Sequence, residues 1–361
     1  MKPICQSVRL VARKRGIKII GEVLIPLLLC LFTFSAGRTE AREIVDMTGR
    51  RVTVPDVIRN VFGTSPPATY MVYAMDPEMV AGLNSPLTQS EKQYIDPRLQ
   101  PLPVIGGWFG QGRVSNLETL IEVRPDIILT WVFQQSALNE KIEAALKPFG
   151  IPVVYIRLES LADYPAAFRF LGNLFDRRER AEALCRYAEQ TLAEVARTVA
   201  ALPDGDRVSV YYAEGADGLS TECHSSIHAQ LIPLSGSENP HRCSDSSTVG
   251  MQKVSMEQVL QYDPQVIVAH EPLFFTGIQT DSKWKTIRAI MDGRVYRIPS
   301  APFNWFDRPP SFMRLLGVRW LTHQLYPEAY PIDMVAETRN FYHLFLNVTL
   351  DEAAARELLK E

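Results

Sequence analysis

The stretch DYPAAFRFLGNLFDRRERAEALCRYAEQTLAEVARTVAAL, residues 163–202, decides how the chain is divided. Leu184, Ala188, Leu192, Val195, Val199 and Leu202 recur at three- and four-residue steps, the spacing of one helical face. Leu171, Leu174 and Ala181 extend that stripe toward the N-terminus. Asp163 and Pro165 supply a start, and Pro203, Asp204 and Gly205 a stop. The pattern predicts one helix of about 37 residues, roughly 55 Å long, which exceeds what covers a sheet within one domain. It therefore reads as a strut between two units. Asp176 is its weak point, because an aspartate can cap a fresh helical segment.

The sequence repeats across this stretch. NLETLIEVRPDIIL, residues 116–129, aligns with SMEQVLQYDPQVIV, residues 255–268, at an offset of 139. Each copy reads as a short amphipathic helix, a proline that ends it, and a buried β run. Matching elements on both sides predict two similar lobes. Further strands are expected at Val57–Phe62, Val153–Ile156, Val208–Tyr212 and Val295–Ile298, and a helix at Gln135–Phe149. Strands alternating with helices imply parallel sheets. The expected fold is α/β: two Rossmann-like lobes with mostly parallel sheets joined by one long helix. The lobes are 43–162 and 203–361, the second with C-terminal helices, linked by 163–202, and their loops face a common cleft.

Length and charge narrow the class. A chain of 361 residues can build two cores. Lys2, Arg9, Arg13, Lys14, Arg15 and Lys18 precede an apolar run from Val23 to Phe34, which is too short to span a bilayer and has the order of a secretory signal. Residues 1–42 are expected to be that signal, with an uncleaved anchor as the alternative. The chain has 38 Lys and Arg against 41 Asp and Glu; the first 42 residues hold eight of the former and two of the latter, so the remainder carries −9. That balance argues against nucleic acid as a partner. Cys185, Cys223 and Cys243 remain after cleavage. In an oxidising compartment Cys223 and Cys243 could close a disulfide, while Cys185 reads as a small buried residue.

Four segments carry a family resemblance. Trp108 in a glycine-rich loop precedes Asn116-Leu117-Glu118, and Ser226-Ile227-His228-Ala229-Gln230 leads to Ser235-Gly236-Ser237-Glu238-Asn239. Ser255 to Leu260 leads into the second repeat strand, and Asn304-Trp305-Phe306-Asp307-Arg308 opens a late helix. Together these resemble the periplasmic substrate-binding proteins of ABC importers for iron-siderophore, haem and cobalamin, the helical-hinge class. The resemblance implies a periplasmic, non-enzymatic, monomeric binding protein with no intrinsic cofactor. Its cleft would take a metal chelate, and its partner would be an inner-membrane ABC permease. It also implies that Glu118 and Glu257 are the permease-docking acids and that Trp108, Phe109, Trp305 and Phe306 stand at the mouth between the lobes.

The remaining candidates follow from residue chemistry. Aromatic rings give a bulky chelate large contact area at low entropic cost. Arg113 and Arg308 lie beside them and can grip carboxylates or phosphates, which places a ferric siderophore first, a corrinoid second and haem third. A structural salt bridge of Arg308 with Asp307 or Asp245 is the competing reading. Tyr70, Tyr73 and Tyr212 are further ligand candidates, and His270 ends the second repeat strand where it can face the cleft. His224 and His228, four apart, would share a helical face as metal ligands do. A Cys223–Cys243 disulfide with Ser225 or Ser226 as a helix cap explains the same segment without metal. A bare nickel or zinc binder, or a metal-dependent enzyme built on Cys223, His224 and His228, stays open on this reading. No Gly-x-Ser-x-Gly, phosphate-binding loop, dinucleotide fingerprint or zinc-protease pair is present.

Overall fold

The two sequence repeats fold alike, residue for residue. In the computed structural model, which describes residues 40–108, 115–132, 137–203, 205–244 and 250–360, the first lobe contains Val61–Gly63 (β1), Pro66–Met75 (α1), Leu117–Val123 (α2), Ile127–Val132 (β2) and Val153–Arg157 (β3). Two helices follow, Tyr164–Leu174 (α3) and Arg178–Ala200 (α4). The second lobe has Val210–Ala213 (β4), Met256–Tyr262 (α5), Val266–Ala269 (β5) and Val295–Arg297 (β6). Arg314–Leu325 (α6) and Met334–Leu346 (α7) close the chain with one more short helix. Apart from residues 40–42, the expected signal lies outside the described residues.

Each lobe has a three-stranded parallel sheet with the repeat strand in the middle. In the first, Val61 pairs with Ile127 and Leu129 with Val154; in the second, Val210 pairs with Val266 and Val295 with Ile267. The first strand is shorter than expected, starting at Val61, because Val57 is exposed. The helix before each middle strand begins on a side-chain cap: Asn116 accepts from the amides of Glu118 and Thr119, Ser255 from that of Gln258. Each ends at a residue with positive φ, Arg124 at 48° and Asp263 at 37°. Each buries one equivalent side chain completely, Leu120 and Val259.

The expected single strut is divided. Asp176 adopts a left-handed conformation with φ 55°, which an aspartate tolerates better than most residues, and α4 begins two residues later. The chain reverses there, so that α3 and α4 lie antiparallel: the Cys185 thiol reaches the Pro165 carbonyl at 3.1 Å and Gly172 sits against Ala181. Reversal buries the stripe of Leu171 and Leu174 together with that of Ala181, Leu184 and Ala188, where a straight rod would leave half of it in water. The long connection is thus α4 alone, 23 residues and about 35 Å.

The C-terminal helices are shared between the lobes: Arg314 on α6 donates to the Ile227 carbonyl of the second, whereas α7 returns to the first. The Tyr73 hydroxyl on α1 donates to the Leu346 carbonyl at the end of α7, and Asn347 donates to Asp96 at 2.8 Å. One apolar core runs from β1–β3 through α3 and α4 to Trp320, Phe341 and Phe345.

A Cβ added at Gly172 would lie 2.4 Å from the Ala181 Cβ. Gly172→Leu is therefore expected to destabilise the protein by about 1–3 kcal/mol, read as a lower urea midpoint at unchanged slope. Asp176→Gly should raise the midpoint, since glycine adopts φ 55° without steric cost.

Candidate functional site

A cavity of about 270 Å³ lies where the lobes meet. Tyr70 and Glu91 reach it from the first lobe, and His270, Glu271, Asn304 and Arg308 from the second. Tyr70 stacks on Phe303 with ring centroids 3.6 Å apart, so one aromatic pair already bridges the lobes there. Burial, followed by the charge of Glu91, pushes the Tyr70 hydroxyl above the usual phenol range. His270 is placed by β5, which ends one residue before it, and its Nδ1 lies 3.0 Å from Glu271.

The segment 304–308 forms the wall by a local turn. Asn304 accepts from the amides of Phe306 and Asp307 at 2.8 and 2.9 Å, and Arg308 takes φ 55°. Successive side chains therefore point in different directions. Trp305 and Phe306, expected at the mouth, are both fully buried, Phe306 packing 4.6 Å from the Tyr212 ring. Tyr212 is equally buried, and its hydroxyl has no hydrogen-bond partner. These three residues are core, because the turn directs the aromatics inward and leaves Asn304 and Arg308 on the cavity.

Arg308 is held by two carboxylates that sequence reasoning did not single out. Its Nε donates to Glu214 and its Nη2 to Glu222, while Asp307 lies 3.7 Å away. Glu214, Glu222 and Asp307 are all fully buried. Glu222 also accepts from Ser226 at 2.7 Å, and Asp307 pairs with His228 Nδ1 at 2.7 Å. Three carboxylates around one guanidinium leave two without a balancing charge. Burial pushes Glu214 up to about 7, against the pull of Arg308 and with the help of Glu222 and Asp307. The salt-bridge reading of Arg308 thus holds: the expected Asp307 pairs with it at 3.7 Å, and Glu214 and Glu222, which were not expected, take its hydrogen bonds. A glutamate placed directly after an all-buried strand, as Glu214 follows β4, was the available sequence signal.

His224 and His228 do not share the helical face expected of them. Residues 224–228 do not form an α-helix; Ser226 caps a single 3₁₀ turn at Ile227–Ala229 by accepting from the His228 amide. His224 Nδ1 instead accepts from the Cys243 amide at 3.4 Å, while His228 turns to Asp307. Among the described residues no group of three or more His, Cys, Asp or Glu is arranged to hold a metal. Cys223 and Cys243 are joined in a disulfide, and Cys185 is a buried free thiol. Trp108 rests against Phe62 with centroids 6.3 Å apart. Phe109, Arg113 and Asp245 lie outside the described residues. Glu118 and Glu257 are exposed in the first turns of α2 and α5. A backbone amide, followed by Ser255, holds the Glu257 carboxyl below the usual range.

Comparison with known proteins adds the following. Residues 106–302 match the family described as periplasmic binding protein. The molybdate-binding protein MolA of Haemophilus influenzae is 24% identical over 351 residues, covering 90% of this chain and 96% of its own. A vitamin B12-binding protein of Pectobacterium atrosepticum is 30% identical over 215 residues, 58% of this chain and 71% of its own. An ABC transporter solute binding protein from Sulfurospirillum deleyianum has a solved structure with 37% identity and a TM-score of 0.81, covering 89% of this chain and 99% of that one.

Two outcomes follow from the carboxylate cluster. Glu214 keeps its proton up to about pH 7 when folded but only to about 4.5 when unfolded. Its contribution to stability is therefore fully present below pH 4.5 and lost as pH rises through 7, at most about 3 kcal/mol. Glu214→Gln should flatten the slope of stability against pH between 5 and 8, measured by urea unfolding. Arg308→Met, which strands buried carboxylates, should cost about 3–5 kcal/mol in the same measurement at pH 8.

Proposed function

Because this chain belongs to the periplasmic binding protein family, we propose that it captures a small metal chelate between its lobes and delivers it to a membrane permease. It is the solute-binding component of an ABC transporter and not an enzyme. The observation that carries the ligand reading is the cavity between the lobes, walled by side chains of both. At about 270 Å³ it lies near the lower end of the range for small-molecule sites, roughly 300–1,000 Å³. That size supports a compact chelate, with a ferric siderophore of small dimensions first, and weighs most against a corrinoid. The commitment of Arg308 to Glu214 and Glu222 removes it as a free anion grip. The ranking therefore rests on size and on the imidazole, phenol and carboxylate groups of the wall rather than on positive charge. His270, with Nδ1 fixed by Glu271, is the wall group best placed to approach the metal centre of such a chelate.

Glu118 and Glu257 are proposed to dock the permease. They occupy equivalent places on the two lobes, and two acidic points fix the orientation of an approach to a basic partner.

Thermal unfolding against ferric siderophores, cobalamin, haem, molybdate and free nickel or zinc tests the ligand. At a hundredfold excess over Kd the stabilisation should be about 2.7 kcal/mol, a shift of several degrees. A dose-dependent shift with one compact chelate, lost in Tyr70→Ala, supports the reading; a response to bare metal alone, or to cobalamin or haem in preference, overturns it. For docking, Glu118→Lys combined with Glu257→Lys should abolish uptake in cells while solute Kd, measured by calorimetry, stays within twofold.

A further inference from the structure

Carboxylates outnumber cationic groups around the cleft. Glu91 and Glu271 stand in its wall, and behind Arg308 lie Glu214, Glu222 and Asp307 without solvent exposure. Arg308 is the one Lys or Arg in the wall among the described residues, and its Nε and Nη2 are given to Glu214 and Glu222. An anion brought to this guanidinium would sit within a few ångströms of three carboxylates, with little water between to weaken the repulsion. The other basic group of the wall, His270, is turned by Nδ1 to Glu271 at 3.0 Å. A second observation points the same way. Asp307 Oδ2 is a buried acceptor of the cluster with no hydrogen-bond partner, so acceptor capacity behind the wall exceeds the donors present. Spare buried acceptors are satisfied by donors, not by a further anion.

We infer that the cleft takes a metal complex of zero or net positive charge that presents N–H or O–H donors toward Glu91 and Glu271. Anionic complexes and oxyanions are rejected by like charge. This rests on the reading of the cleft as the solute site and narrows that reading to a charge class. Within ferric siderophores it favours neutral and cationic hydroxamate complexes over catecholate or citrate complexes.

The test uses the full chain and two pairs of probes. Tris(ethylenediamine)cobalt(III) and tris(oxalato)cobaltate(III) are inert to substitution and similar in size but opposite in charge; ferrioxamine B and ferric citrate form a second, natural pair. Calorimetry at low salt is expected to give the cationic member of each pair at least tenfold tighter binding, weakening as sodium chloride rises from 0.05 to 0.5 M. Glu91→Gln with Glu271→Gln keeps the capping contact of residue 91, and is expected to weaken the cations at least fivefold with an unchanged melting temperature. Equal or tighter binding of either anion overturns the inference, as does failure of both cations to bind at millimolar concentration or indifference of the cations to the double variant. If an anionic chelate from the thermal panel binds in the cleft, the charge class fails while the solute site stands. If no compound of any charge shifts the melting temperature, the solute reading itself fails.

Discussion

A guanidinium partly withdrawn from water has to recover its hydrogen bonds, and Arg308 recovers them from Glu214 and Glu222. The arrangement then carries its own demands. Glu222 is fixed by Ser226, which also caps the turn bearing His228, and His228 holds Asp307 on the segment that contains Arg308. The loop after β4, the disulfide-tied segment around Cys223 and the turn at 304–308 are thereby one polar network. Removing Arg308 leaves buried carboxylates unanswered, and the hydrogen bonds tie together a wall that is built from loops. Two surplus carboxylates are the cost of that arrangement, and Glu214 offsets one of them by holding a proton near neutrality.

The second constraint is the apolar stripe of 163–202. A helix cannot leave such a stripe in water, and the chain solves this by folding at Asp176 so that α3 covers α4. The hairpin makes the connection thicker than a single helix and joins it to both lobes: Arg180 donates to the Ala74 carbonyl on α1, and Arg319 on α6 donates to Thr191 on α4. Lobes joined in this way change their separation little compared with lobes on extended strands.

Much of this fold was legible. The offset of 139 residues between the repeats predicted two lobes and the central strand of each, because alternating buried runs and proline stops act locally. The division at Asp176 was visible only as a weak point, since nothing nearby in sequence says that a stripe will be covered by its own other half. The cleft was harder. Trp305 and Phe306 look like exposed loop aromatics until the Asn304 turn is known, and that turn rotates each side chain separately. Glu214 and Glu222 are distant from Arg308 in sequence, so their pairing depends on tertiary structure alone. His270 was readable because its position follows from the end of a strand.

The return of α7 to the first lobe has a consequence for how the chain is made. Tyr73 finds its acceptor at Leu346, and Asp96, already bonded to Arg98, gains a further donor from Asn347. A polypeptide emerging from the ribosome N-terminus first cannot complete the core of its first lobe until almost the last residue has appeared. Until then the Tyr73 hydroxyl lacks the acceptor it has in the finished fold, which lowers the stability of the first lobe on its own.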